Sequence, residues 1–501
     1  MDSKKTVRSF SMKNKYASIL FLVIPLVLSS FTHIWNPVGF PDIFYDEGIY
    51  MYRAMHVLSG EGMQTGYFHD HPFFGQIFLA GALALVGYPN SLHPTADVHS
   101  AEMLYLVPRI LMGILAVADT FLIYKISERR YSKNVALFAS ILFAVMPITW
   151  LTRRILLDSI LLPFLLTSIL FAIYAKDSKN KKLLVVLSGI FFGITLFTKE
   201  TMFVMIPLLA VLIYQNTKSP RMLAVWFIPV ILIPLIWPIQ SIQDDQFHLW
   251  VSDLLYQVHR QNNNFGNILT TFYKFDPLLL ALGIAGIVYA AVKKDWIILL
   301  WFIPFLVFLA TVGYVQYFYW IPVLPVLCIA AARFIIDITK HAKEDVRNKL
   351  PFVIVICIGI FGLVMTSFLI TSNVSAQFDA VAYVLQNVHN SNAPYDEKNT
   401  TIVSSAAYSW IFKYVYHMTD VLPDYRYLLF YPLLTDHVLL VSDLHFKANI
   451  NDGKQLQDIY NNTTSVKKFK GGVLDADLGK YPFTNMRANY EGSEVEIRER
   501  N

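Results

Sequence analysis

HPFFGQIFLAGALALVGY, residues 71–88, decides how this chain is threaded. From Phe73 to Tyr88 nothing is charged, yet a helix of that length rises only about 24 Å, short of a hydrocarbon core of ~30 Å. Pro72 opens the stretch, and Gly75, Gly81 and Gly87 weaken it as a helix. Whether it spans or lies flat sets the side on which every later loop emerges.

Eleven further apolar runs surround it, roughly at 16–35, 104–125, 133–150, 155–175, 183–198, 201–215, 222–240, 276–292, 296–313, 315–336 and 351–372. Charged residues make up 15% of the chain, against about 25% in soluble domains. The sequence therefore reads as a polytopic, all-α membrane protein. Cys328 and Cys357 both fall inside apolar runs, which excludes a disulfide framework and a thiolate metal site. The basic N-terminus followed by Tyr16–Trp35 lacks a small-residue cleavage site and exceeds a signal-peptide core, so it reads as an uncleaved first span.

Loop charge settles the threading. With 73–88 lying in the interface, Lys125/Arg129/Arg130/Lys133, Lys176/Lys179/Lys181/Lys182, Lys218/Arg221, Lys293/Lys294 and Lys340/Lys343/Arg347/Lys349 all fall on the side of the N-terminus. Basic loops mark the cytoplasmic face. If 73–88 spanned, every cluster would land outside. The expectation is about 11 transmembrane helices plus an interfacial helix at 73–88, in a cell-membrane, multi-pass protein with a cytoplasmic N-terminus.

The transmembrane domain then covers 1–372, with external loops at 36–103 and 241–275. Residues 373–501 form a small C-terminal α/β extracytoplasmic domain. In that tail, Ala376–Val388 and Tyr408–Tyr416 read as helices, and Thr401–Ser404, His437–Ser442 and Ser493–Ile497 as strands. The sequons at Asn373, Asn399, Asn461 and Asn462 agree with an external tail.

This threading gathers ionisable residues at one face. Asp46 and Glu47 lie in the first external loop, with His71 further along it. Arg109 sits about a turn inside the second span; Arg153 and Arg154 occupy a short external turn, with Asp158 one turn deeper. Lys199 and Glu200 fill the next external turn, and Arg260 comes from the large loop. Each has a plainer explanation: Asp46 as a helix cap, Arg153 and Arg154 reaching for lipid headgroups, Lys199 and Glu200 as an exposed pair. Asp119, in the inner half of the second span, reads as structural. Ionisable groups near spans are costly unless paired or lining a wet cavity, and their convergence suggests a site that handles an anion.

The motifs resemble the GT-C superfamily of membrane glycosyltransferases, in particular the protein O-mannosyltransferases and the lipid A aminoarabinose transferases. An Asp-Glu pair follows the first span, and HDHPFFGQIFLAGALALVG opens an interfacial helix. TWLTRRILLDSILLPFLL (149–166) is similar to the family's Arg-x-x-x-Leu-Asp segment, GITLFTKETMFVMIPLLAVL (193–212) to its Lys-containing turn, and YFYWIPVLPVLCIAAA (317–332) to its Tyr-x-x-Pro-x-x-Pro stretch. Phe73 stands where the family has a second proline and Gln76 where it has a lysine, which leaves the acceptor open.

The resemblance implies transfer of a hexose or modified pentose from a polyprenyl-phosphate-linked sugar donor to a hydroxyl of a protein, glycan or lipid acceptor on the non-cytoplasmic face. It implies Asp46 as general base with Glu47 beside it, His71 shaping the pocket, and Arg153 or Arg154 with Lys199 at the lipid phosphate. Arg109, Asp158, Glu200 and Arg260 join the donor or substrate site as charges on the same face. Like charge on adjacent Asp46 and Glu47 would raise one carboxyl pKa. Single displacement would invert the anomeric centre. No cofactor is required for a monophosphate donor; for a diphosphate donor, Asp46, Glu47 and His71 would hold a divalent metal such as Mg or Mn. The alternatives are an oligosaccharyltransferase-like, metal-dependent enzyme and a lipid-linked sugar transporter. Membrane lipids are expected partners; nucleic acid is not.

Overall fold

The computed structural model describes residues 3–63, 69–260, 265–371, 376–388, 400–431, 433, 435, 437–470 and 494–500, the side chains of 3–18 excepted. Seven of its helical segments are long and apolar enough to cross a membrane, or nine if two sharply bent pairs each count once. With the shorter apolar segments Ile19–Ile34 and Trp296–Thr311, they coincide with the eleven expected runs. The protein is a multi-pass membrane protein.

The helices in chain order are α1 (Ser3–Ile34), α2 (Tyr45–Leu58), α3 (Phe74–Leu85), α4 (Val98–Arg130), α5 (Lys133–Val145), α6 (Leu157–Tyr174), α7 (Lys181–Thr198) and α8 (Ile206–Thr217). There follow α9 (Pro220–Leu232), α10 (Ile236–Gln243), α11 (Phe247–His259), α12 (Phe265–Phe275), α13 (Pro277–Val292), α14 (Trp296–Thr311), α15 (Leu324–Thr339), the one-turn α16 (Glu344–Arg347) and α17 (Leu350–Ile370). Short 3₁₀ segments at Pro147–Arg153, Glu200–Met205 and Tyr317–Val323 end or begin spans near the candidate site.

The stretch that decides the threading forms a helix of 12 residues, about 18 Å long. It lies against the ends of α6 and α7: Phe74 meets Phe164 edge-on at 5.5 Å, and Phe73 meets Phe197 at 4.9 Å. Gly75 lets Leu157 pack close, since a Cβ would fall 2.3 Å from Leu157 Cδ2 and that side chain would have to move. Gln76, at the position where a lysine was expected, is buried and donates to the Met63 carbonyl.

The tail holds α18 (Gln377–Val388), α19 (Ala406–Trp410, continued by a π turn), α20 (Leu444–Asn449) and α21 (Lys454–Asn461) around a four-stranded sheet of order β1-β2-β4-β3. Its strands are β1 (Thr400–Val403), β2 (His437–Ser442), β3 (Thr464–Phe469) and β4 (Val495–Arg500). β1 and β2 run parallel, and the remaining pairs are antiparallel. β2 matches the expected range; β4 begins two residues later than expected, and β3, α20 and α21 were not foreseen. The sequons at Asn373 and Asn399, and the boundary at 372/373, lie outside the described residues.

One face of the tail shares an apolar core with α2, α3 and the start of α4. Met51, Met55, Leu83, Leu104 and Tyr105 pack with Phe378, Trp410, Phe412 and Ile497. Polar ties reinforce it. The Gln377 side chain bonds both backbone groups of Ile43, at 2.7 and 2.9 Å, and Tyr105 donates to the Ala407 carbonyl at 2.7 Å. Gly48 lets α2 and the start of α19 touch backbone to backbone, since a Cβ would lie 2.3 Å from Ala406 O and Ala407 N.

Candidate active site

Helix α2 carries the Asp-Glu pair and sends its two carboxylates in different directions, because neighbours on a helix are about 100° apart. Glu47 points inward and is fully buried. Its Oε1 accepts from Arg109 Nε at 3.1 Å and from Ile155 N at 3.0 Å. Its Oε2 accepts from Arg109 Nη2 at 2.8 Å, Arg154 Nη1 at 2.9 Å and Phe44 N at 2.9 Å. Burial would push this carboxyl up, but the two guanidinium groups outweigh it and hold its pKa below the ordinary value. The bond to Phe44 N also closes the first turn of α2, so Glu47 rather than Asp46 does the capping.

The three arginines expected at an anion are used internally. Arg109 also donates to the carbonyls of Pro37, Pro41 and Asp42. Arg154 also bonds the Asp42 carbonyl and its carboxylate, at 2.8 and 2.9 Å. Arg153, fully buried, donates to the carbonyls of Thr32, Trp35 and Asn36 at 2.9, 2.5 and 3.0 Å. Arg109, Arg153 and Arg154, expected at a phosphate, spend these donors on knitting loop 36–47 to the ends of α1, α4 and α6. Nor do Arg153 and Arg154 reach for headgroups.

Asp46 lies on the other side of α2, partly buried, and forms no ion pair or hydrogen bond among the described residues. Burial raises its pKa to about 6. His71 and Lys199 pull the value down, while Asp70 and Asp158 push it up. Desolvation is the largest cause and Glu47 is not among the leading ones, so burial outweighs the expected repulsion within the pair.

Around Asp46 stand two ion pairs reaching in from distant segments. Lys199 Nζ sits 2.7 Å from Asp158 Oδ2, both side chains at most 2% exposed, and lies 3.9 Å from the centre of the Tyr319 ring. His71 Nδ1 lies 3.3 Å from Glu200 Oε2. Burial works against protonation of His71, but Glu200 more than offsets it and the pKa is raised. Neither Lys199 nor Glu200 is a free surface group.

Three participants escaped sequence reasoning. Arg53 pairs with Asp70 at 2.7 Å, and Tyr319 faces Lys199. Asp46, Tyr50 and Arg53 recur at i, i+4 and i+7, one face of a helix, and this spacing could have flagged Arg53. Arg260 stacks on the Tyr314 ring at 3.4 Å and bonds Gln257 at 3.2 Å, in the segment that leads to Tyr319. Asp119 is buried, with neither carboxylate oxygen hydrogen-bonded.

The arrangement offers a carboxylate of raised pKa beside a buried ammonium. The fold with which it comes is known. ArnT from Cupriavidus metallidurans in the apo state superposes with a TM-score of 0.59 at 11% identity, over 97% of this chain and 98% of that one. The chain has the fold of ArnT. The likeness extends to ArnT bound to undecaprenyl phosphate (TM-score 0.56, 11% identity, 96% and 97% covered). It also includes the oligosaccharyltransferase AglB from Archaeoglobus fulgidus in complex with an inhibitory peptide and a dolichol-phosphate (0.56, 12% identity, 93% and 75% covered). Residues 97–239 match the family described as dolichyl-phosphate-mannose-protein mannosyltransferase. No curated protein matches the chain by sequence. The resemblance drawn from the motifs thus holds at the level of fold.

One structure of the A. fulgidus oligosaccharyltransferase is a complex with Zn and sulfate. Here the three side chains expected to hold a divalent ion do not converge. Among the described residues no three His, Cys, Asp or Glu side chains come together to ligate one. Glu47, expected to join Asp46 and His71 in such a site, is turned away and saturated by two arginines.

Proposed function

We propose that this protein transfers a sugar, a hexose or modified pentose, from a polyprenyl-phosphate carrier to a hydroxyl of a protein, glycan or lipid, with inversion at the anomeric carbon. The observation that carries the reading is Asp46: a carboxylate without an internal partner, raised toward neutrality, within electrostatic reach of the buried Lys199. Undecaprenyl phosphate and dolichol-phosphate in related folds support a lipid-borne donor.

In this reading Asp46 takes the proton of the acceptor hydroxyl as its oxygen bonds to sugar C1, and the bond from C1 to the phosphate oxygen breaks. General-base assistance of this kind contributes about 10²–10⁴-fold. The phosphate leaves with the charge gained at its bridging oxygen. Lys199, preorganised by Asp158 and the Tyr319 ring, faces that charge, and Arg260 supplies a second cation from the large loop. His71 and Glu200 shape the pocket between them. Helix α3, too short to span, borders a lateral path for the prenyl chain.

We place the N-terminus in the cytoplasm and the domain at 373–501 outside, with the site on its side of the membrane. The test is transfer by purified protein from a short-chain prenyl-phosphate hexose to acceptors extracted from its own membranes, followed by mass spectrometry. Labelled product with the native protein and none with Asp46→Asn is expected. Release of free sugar or carrier without a new glycoside would sink the transferase reading.

A further inference from the structure

Some twenty residues beyond Arg109 on α4, hence about 30 Å from the candidate site, the ends of α4, α6, α8 and α14 enclose a cleft of about 160 Å³. Arg129, Arg130 and Lys176 line it against one carboxylate, Asp177. Arg129 is paired with that carboxylate. Arg130 stands 3.8 Å from Asp295, which Arg333 and the Tyr131 hydroxyl already engage. Lys176 is exposed. The cleft is therefore a cationic niche of net charge about +2.

Its floor differs in kind. Ile173, Leu212 and Ile297 close the cleft on the side of the apolar bundle. One residue from its lining, Tyr214 is half exposed on α8, as befits an aromatic at a membrane interface. A hydrated free anion gains nothing from an apolar floor, whereas a headgroup continuing into acyl chain matches both parts. Basic pockets between helices at a membrane end are suited to anionic headgroups, each cation contributing attraction that falls off within a Debye length.

We propose that this cleft binds the phosphate of an anionic phospholipid, at the end of the bundle opposite Asp46 and independently of the transfer chemistry. Arg130 and Lys176 hold the phosphate oxygens, Arg129 stays anchored by Asp177, and the glycerol lies over Leu212.

The experiment compares retention of phosphatidylglycerol and phosphatidylcholine by the full-length protein, using native mass spectrometry after mixed-lipid nanodiscs. Arg130→Gln and Lys176→Gln are each expected to weaken phosphatidylglycerol binding about fivefold and to leave phosphatidylcholine unchanged. A control, Lys343→Gln/Lys349→Gln, removes two charges from a separate basic loop and should change nothing. The proposal is overturned if both pocket variants retain phosphatidylglycerol as the native protein does, if phosphatidylcholine binds equally well, or if the control loses as much. Full displacement of the lipid by millimolar inorganic phosphate would overturn the lipid as occupant. The single substitutions are exposed, so loss of folding does not confuse the result.

Discussion

The Tyr45 ring lies flat on the imidazole of His445, ring centres 3.7 Å apart and planes 9° from parallel. The two residues belong to opposite ends of the sequence, and Tyr45 is the neighbour of Asp46. Arg426 also reaches this residue from the tail, donating to the Tyr45 hydroxyl, with its guanidinium 4.7 Å from the ring centre and fixed by Asp424 at 2.9 Å. The tail thus grips the first turn of the helix that bears the candidate base.

This grip predicts a kinetic signature. Tyr45→Ala should lower kcat by roughly 10- to 100-fold, because small displacements of a reacting group carry large costs, while donor KM changes little. Tyr45→Phe keeps the stack and should restore most of the rate. Steady-state kinetics at varied donor decides; an equal loss for Ala and Phe would assign the effect to the hydroxyl instead.

The acid limb of activity should titrate near pH 6. The base must be ionised and Asp46 is raised to about 6, so the rate falls about tenfold per unit below that value. Burial and Arg426 hold His445 down to about 3, so the stack adds no titration in this range. Glu200→Gln removes the group that keeps His71 protonated; less positive charge then faces Asp46, and the limb should move to higher pH. The pH dependence of kcat/KM checks both statements.

Glu47→Gln should act on stability first. It leaves the Arg109 guanidinium without a countercharge inside the protein and Arg154 with Asp42 alone, a loss of about 3–5 kcal/mol. The sign with pH follows from a folded-state pKa held below the ordinary 4.5: the contribution is complete above 4.5 and fades as pH falls through the lower folded value. Thermal unfolding in detergent at several pH values measures it, with Asp46→Asn expected to unfold near the native temperature.

Lys199→Gln should cut single-turnover transfer by about 10²–10³, the usual cost of removing one preorganised charge from a developing anion. Asp158→Asn keeps the shape but frees the ammonium, and should cost less. If both substitutions lower the rate equally and unfold the protein together, Lys199 is a structural partner of Asp158 and not a phosphate contact.

Much of the membrane part was legible because length, polarity and loop charge are one-dimensional properties. Helix α3 is an example: its shortness and its glycines can be counted. The division of labour between Asp46 and Glu47 was not, because adjacency in sequence suggests mutual repulsion while helical phase sends them to different partners. Burial of Arg153 was equally hidden, since a guanidinium that meets three backbone carbonyls looks in sequence like one that meets lipid. Lys199 and Asp158 were both picked out, but a separation of 41 residues says nothing of a 2.7 Å bond. In the tail, apolar runs marked helices and strands but could not show that α2 packs against them.

Gly48 joins two events far apart in time. The helix it belongs to is synthesised early, but the backbone that rests against it, at Ala406 and Ala407, leaves the ribosome some 360 residues later. A growing chain therefore carries its candidate base on an unsupported helix until the tail arrives. In the proposed reading, competence for transfer is deferred to the completed polypeptide.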